Sequence, residues 1–164
     1  MKLREKILER GILKDVSPDE FAPRAERTNP VDHWSPPILL ERAAYLRKLA
    51  KAGDGSASET LREYPQHFAM LSYRSRNGEA EVHEEFADLF YVLAGAATLV
   101  TGGNVTGARS AGPGETRGSG IEGGARQELR AGDVAHVPAS VPHKMLVSSE
   151  ETLTCFVLKI RQAS

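Results

Sequence analysis

The chain has 164 residues, of which 40% are hydrophobic and 26% charged, and its formal net charge is −1. These values are typical of one soluble globular domain with a sizeable core, and the near-neutral charge gives no basis for nucleic-acid binding. No apolar run is long enough to cross a bilayer, and the charged first ten residues lack the pattern of a secretion signal. The single cysteine, Cys155, cannot form an internal disulfide, so we expect a cytoplasmic protein.

The first part of the chain predicts a helix and an extended arm. Residues 3–13 alternate charged and aliphatic residues at helical spacing. Residues 15–37 carry five prolines and little periodicity, which favours an arm lying over a surface. Trp34, within this arm, is expected to anchor it.

A second helix is predicted after the arm. Ser35 followed by Pro36 is a helix start, an apolar stripe runs from Ile38 to Ala50, and Gly53 ends it. A short helical turn is expected at 59–64. An exposed stripe on this helix, together with the edges of a sheet, would be buried by pairing two chains, so we expect a homodimer.

From Gln66 onward the pattern changes to short segments rich in Val, Leu, Phe, Tyr and Thr, bounded by turn residues. Such segments predict strands at 66–74, 79–84, 88–93, 96–101, 126–129, 134–138, 144–148 and 152–160. Tight turns are expected at 94–95 and 131–133. The spacing favours a mainly β antiparallel sandwich or barrel, residues 66–164, with the helices and arm of residues 1–65 packed outside it.

Residues 102–124 hold nine of the fifteen glycines and predict a long surface loop. The functional alternative is a lid over the mouth of the barrel. Gly118–Gly123 matches the dinucleotide fingerprint Gly-x-Gly-x-x-Gly. We reject this match because neither a preceding strand nor a βαβ unit surrounds it.

Two segments about fifty residues apart carry candidate metal ligands. Glu81 and His83 are two residues apart on a predicted strand, so both side chains lie on one face. Asp88 opens the next strand, and His143 follows a turn that leads into a later strand. Each histidine alone is more often a hydrogen-bonded structural residue than a ligand. Together, two histidines and two carboxylates form a plausible ligand set for a divalent transition metal.

These segments resemble the two motifs of the cupin superfamily. The first is similar to Gly-x5-His-x-His-x3–4-Glu-x6-Gly: anchored on Gly95, it places Glu81 and His83 at the histidines and Asp88 at the glutamate. The second is similar to Gly-x5-Pro-x-Gly-x2-His-x3-Asn: anchored on Gly132, it places His143 at the third histidine. The resemblance covers roughly residues 66–160 and implies a double-stranded β-helix, or jelly-roll barrel.

This sequence departs from the motifs at several ligand and turn positions. Glutamate replaces the first histidine, aspartate replaces the glutamate, and Ser140 stands where glycine is usual. Because aspartate is one methylene shorter, Glu85, on the same face as Glu81 and His83, is a reserve ligand. The carboxylate-rich set favours Mn, Fe or Zn.

His136 is the candidate acid–base residue, since its strand position could turn it towards the pocket; a hydrogen-bonded barrel histidine is the alternative. Cupin resemblance implies a metal-dependent enzyme acting on a small organic molecule, as a dioxygenase, isomerase or lyase. The alternative is a non-catalytic protein that binds or senses a small ligand. An exchangeable coordination position on the metal separates the two.

Overall fold

The computed structural model describes residues 31–162, and the chain divides into two compact units, residues 1–35 and 36–164. In the first unit, residues 31–35 are described and form neither helix nor strand. The helix predicted at 3–13 and most of the arm predicted at 15–37 lie outside the described residues.

In the second unit one helix precedes all the strands. Helix α1 (Pro36–Ala52) begins where the sequence predicts, with proline in its first turn, where no backbone donor is needed. It ends as Gly53 N donates to Leu49 O at 3.0 Å.

Twelve antiparallel strands follow in the described part of this unit. They are β1 (Ser56–Glu63), β2 (His67–Arg74), β3 (Ala80–His83), β4 (Phe86–Thr101), β5 (Asn104–Thr106), β6 (Arg109–Gly112), β7 (Glu115–Gly118), β8 (Gly120–Glu122), β9 (Ala125–Arg130), β10 (Val134–Val137), β11 (His143–Leu146) and β12 (Leu153–Arg161).

The apolar stripe of α1 is covered within its own unit. Leu39, Ala43, Leu46 and Ala50 are each no more than 5% exposed, and the helix packs on β1 and β2. The expectation of an exposed stripe was therefore wrong, because these side chains already have partners on the sheet. The homodimer stays a prediction, without that support.

Strand β4 links the two halves of the barrel. Its first half pairs with β10 and β12, and its second half pairs with β9 and β11. The main sheet runs β1-β2-β12-β4-β11-β3-β7-β6 and curls into a half-barrel. This arrangement confirms the predicted mainly β, double-stranded β-helix class.

A bulge inside β4 replaces the tight turn predicted at 94–95. The pairing of β4 with β12 shifts by one residue between Val92 and Ala94, and the strand continues through Gly95. Because an extra residue reverses the alternation of side chains, the positions of β4 that belong to the core change from even, at Phe90 and Val92, to odd, at Ala97 and Leu99. One strand thus supplies both halves of the barrel interior.

Two further expectations about local structure were wrong. The helical turn expected at 59–64 is part of β1, because pairing with β2 overrides the local preference for helix. The surface loop expected at 102–124 contains the short strands β5 to β8, and β7 pairs with β3. That pairing brings the glycine-rich segment to the candidate site.

The core lies inside the curl of the sheet and is lined by the inward residues of β4 and β9 to β12. Its members are Phe90, Val92, Ala97, Leu99, Leu129, Val137, Met145, Val147, Leu153, Cys155 and Val157. Within residues 31–162, no helix has the length and apolarity that a membrane crossing requires.

Candidate metal centre

Three strands bring the four predicted ligands together. Glu81 and His83 lie on β3, Asp88 lies on β4, and His143 opens β11 directly opposite Glu81. One ligand atom from each side chain lies within 4.8 Å of the other three. Despite its shorter side chain, Asp88 reaches the cluster and is only 2% exposed.

The spacing of the ligand atoms matches that of a first-row metal site. His83 Nε2 lies 3.2 Å from Glu81 Oε2 and 3.5 Å from Asp88 Oδ2. His143 Nε2 lies 3.3 Å from Asp88 Oδ2 and 3.9 Å from Glu81 Oε2. Two ligands at about 2.1 Å from one ion, in tetrahedral geometry, are about 3.4 Å apart. No large rearrangement of these four atoms is needed to hold such an ion.

Both imidazoles are oriented by a hydrogen bond from the nitrogen that faces away from the cluster. His83 Nδ1 donates to Glu115 Oε2 at 2.6 Å, and His143 Nδ1 lies 3.1 Å from the acceptor Val141 O. Among the described residues, His143 Nε2 is buried with no hydrogen-bond partner. A bare, buried nitrogen aimed at carboxylates is what a metal ligand presents, and the bond on the other nitrogen is its usual support.

The structure adds two residues on β7 that the sequence did not identify. Glu115 is the cross-strand partner of His83, and Arg117 is the partner of Glu81. Arg117 NH1 lies 2.8 Å from Glu81 Oε2. The three side chains Glu81, Glu115 and Arg117 are 25–30% exposed and form the solvent-facing rim of the cluster.

Lys159 is the third residue that the sequence did not identify. It lies on β12, paired with Asp88 of β4. Its Nζ donates to Asp88 Oδ2 at 2.6 Å and lies 2.7 Å from His83 Nε2. The side chain is 15% exposed, so the cluster contains a partly buried ammonium group between two of its candidate ligands.

The pKa values of the two carboxylates are lowered. Burial by itself raises the pKa of Asp88, but its close contacts with the imidazoles of His143 and His83 and the charge of Lys159 outweigh burial and hold this pKa well below its usual range. Burial likewise raises the pKa of Glu81, but the hydrogen bond with His83 and the charge of Arg117 outweigh it and lower the pKa to about 2. Both carboxylates are thus ionised at neutral pH, as metal ligation requires.

The pKa of His83 moves in the opposite direction. Burial lowers it, but hydrogen bonds with Asp88 and Glu81 outweigh burial and raise the pKa to about 9. When protonated, Nε2 donates to a carboxylate; when bare, it accepts from Lys159. Only the bare form can bind a metal.

Two sequence-predicted residues do not join the cluster. His136 is exposed and pairs with Leu89, while its neighbour Val137 pairs with Asp88 and shares the buried face. The prediction that His136 faces the pocket was therefore wrong, because side chains alternate along β10. Glu85, the reserve ligand, is 62% exposed and forms an ion pair with Arg161 instead.

The turn before His143 has a backbone conformation that suits glycine, although this chain has serine there. Ser140 stands where the cupin motif usually has glycine, and its φ is 64°, a left-handed conformation that glycine adopts most readily. Ser140 N donates to His83 O at 2.7 Å. This bond ties the turn that precedes one histidine to the strand that carries the other.

No protein-family model and no curated protein matches this sequence. Solved structures do, at low identity. A cupin protein from Bacteroides fragilis has 11% identity and a TM-score of 0.47, covering 66% of this chain and 79% of that one. KdgF from Halomonas sp. has 18% identity and a TM-score of 0.48, covering 67% and 84%. A Klebsiella pneumoniae protein with a double-stranded beta-helix domain has 16% identity and a TM-score of 0.48, covering 65% and 76%.

These likenesses concern the fold alone. The strand order of this chain leads to the double-stranded β-helix class without them.

Proposed function

We propose that this protein binds a divalent transition metal, Mn, Fe or Zn, through Glu81, His83, Asp88 and His143, and that it acts through this metal on a small organic molecule. The observation that carries the proposal is the pair of buried imidazoles. Each has its Nδ1 turned to an acceptor and its Nε2 directed at the carboxylates of the cluster. Two histidines with carboxylates suit all three metals.

When bound, such a metal supplies Lewis acidity or oxygen activation. The residues of the chain orient the metal ligands and enclose the site on one side. Asp88, 2% exposed, closes the inner side of the cluster, whereas the rim of Glu81, Glu115 and Arg117 faces solvent. A small oxygenated molecule would approach from this rim. The donor set suits dioxygenase, isomerase and lyase chemistry alike.

The second candidate function is non-catalytic binding of a small ligand. Four protein ligands are enough to close a tetrahedral site, and Lys159 already lies among them. Water-proton relaxation of the Mn-loaded protein separates the candidates. Enhanced relaxation reports an exchangeable water on the metal and supports catalysis, whereas no enhancement supports a closed binding site.

Metal content tests the assignment of the ligands. Purified protein is incubated with Mn, Fe(II) or Zn, desalted, and measured by inductively coupled plasma mass spectrometry. We expect near-stoichiometric metal in the wild type and a large loss in His83→Ala and His143→Ala. The matched control is His136→Ala, because this histidine is exposed and outside the cluster. Equal metal in all four proteins would refute the assignment.

A further inference from the structure

Lys159 is placed at the cluster by the register of the sheet. On β12 it shares a face with Cys155 and Val157, which belong to the core. It is paired with Asp88 across the ladder between β12 and β4. A lysine on the core-facing side of a strand is costly unless its charge is compensated, and here the carboxylate of Asp88 compensates it at 2.6 Å.

The ammonium group and a metal cannot share the cluster as it stands. Nζ lies 2.6 Å from Asp88 Oδ2 and 2.7 Å from His83 Nε2, two atoms that are 3.5 Å apart. An ion about 2.1 Å from both of these atoms would lie between about 0.8 and about 3.2 Å from Nζ, depending on its side of the line that joins them. At the short end of this range the ion would overlap Nζ. At the long end the two positive charges would repel each other with little screening.

We propose that Lys159 is an internal cation that occupies the centre in the metal-free protein and must be displaced when a metal binds. This inference rests on the proposed metal function. The ammonium group stabilises the metal-free cluster, in which three carboxylates, those of Glu81, Asp88 and Glu115, lie within 3.5 Å of the ring nitrogens of His83. Lys159 thereby lowers the affinity of the cluster for metal. Because the ammonium group must leave when the metal binds, metal binding is coupled to movement of the Lys159 side chain on β12.

The test compares metal affinity in Lys159→Met, which keeps the unbranched apolar stem but lacks the ammonium group, with the wild type. Affinity for Zn²⁺ and Mn²⁺ is measured by competition with a chromophoric chelator at fixed pH. Lys159→Gln is the second variant, because its amide still donates to Asp88 and keeps the fold if the methionine variant is unstable. Lys48→Met, on the exposed side of α1, is the matched control.

We expect both Lys159 variants to bind metal about tenfold or more tightly than the wild type, with the control unchanged. Thermal melting is the second readout: metal-free Lys159→Met melts below the wild type, and saturating metal raises its melting temperature by the larger amount.

The outcomes distinguish the inference from the proposed function. Metal binding to the wild type, with no gain in either Lys159 variant, overturns the inference and leaves the function standing. Binding to the variants alone overturns the proposed function and, with it, the exchange, because Lys159 then keeps its place in the native chain at every metal concentration. No binding to any of these proteins overturns both.

Discussion

Removal of Glu115 tests whether the glycine-rich segment takes part in the metal centre. Its Oε2 accepts the hydrogen bond from His83 Nδ1 at 2.6 Å, which fixes the ring and leaves Nε2 directed at the cluster. Loss of such a partner weakens metal binding by about 10- to 100-fold, or about 1.4 to 2.7 kcal/mol. Because the Glu115 side chain is 30% exposed, water can replace part of this hydrogen bond. We therefore expect metal binding to be about tenfold weaker in Glu115→Ala.

Chelator competition at fixed pH measures this change. Glu115→Gln should fall between the wild type and Glu115→Ala, because its amide oxygen still accepts from the imidazole but carries no charge. Glu79→Ala is the matched control: Glu79 is 54% exposed and paired with Arg109, and exposed pairs contribute little. If Glu115→Ala binds metal as tightly as Glu79→Ala, the supporting role of Glu115 is wrong.

Three further predictions concern the metal-free protein. Because the pKa of Glu81 is lowered to about 2 in the folded state, its stabilising contribution is complete above about pH 4.5 and is lost as pH falls towards 2. In urea unfolding, the free energy of unfolding should therefore fall less between these pH values in Glu81→Gln than in the wild type, and an equal fall would contradict this. Cys155 is 1% exposed and burial raises its pKa to about 12, so iodoacetamide at pH 8 should label it only after unfolding; rapid native labelling would contradict this. Gly95→Ala should cost more than about 3 kcal/mol, since the new Cβ would lie 1.7 Å from Thr152 O. Gly132→Ala, also at positive φ but in open space, should cost about 1–2 kcal/mol; equal costs would refute the steric argument.

The strands and metal ligands that have a recognisable pattern within a short stretch of sequence could be predicted. The segments of β2, β10 and β12 are short and rich in apolar residues, turn residues bound them, and the four ligands have recognisable spacings. The strand β1 could not be predicted: its residues Glu59, Leu61 and Arg62 favour a helix in isolation, and pairing with β2 decides its conformation. The glycine-rich segment lacks an apolar alternation that would indicate strands.

Glu115 and Lys159 were missed because both reach the site through register. Glu115 meets His83 only through the pairing of β7 with β3, and Lys159 meets Asp88 only through the pairing of β12 with β4. One signal was available for Lys159: it continues the parity of Cys155 and Val157 in a mostly apolar strand. A charge at such a position indicates a buried partner, although not which one.

Anomalous diffraction from crystals soaked in Zn²⁺ or Mn²⁺ tests the central claim most directly. We predict one strong peak within bonding distance of His83 Nε2, His143 Nε2 and the Asp88 carboxylate, with Lys159 Nζ moved away from its place beside Asp88. A saturated crystal whose peak lies elsewhere, with Lys159 still between His83 and Asp88, would contradict the account.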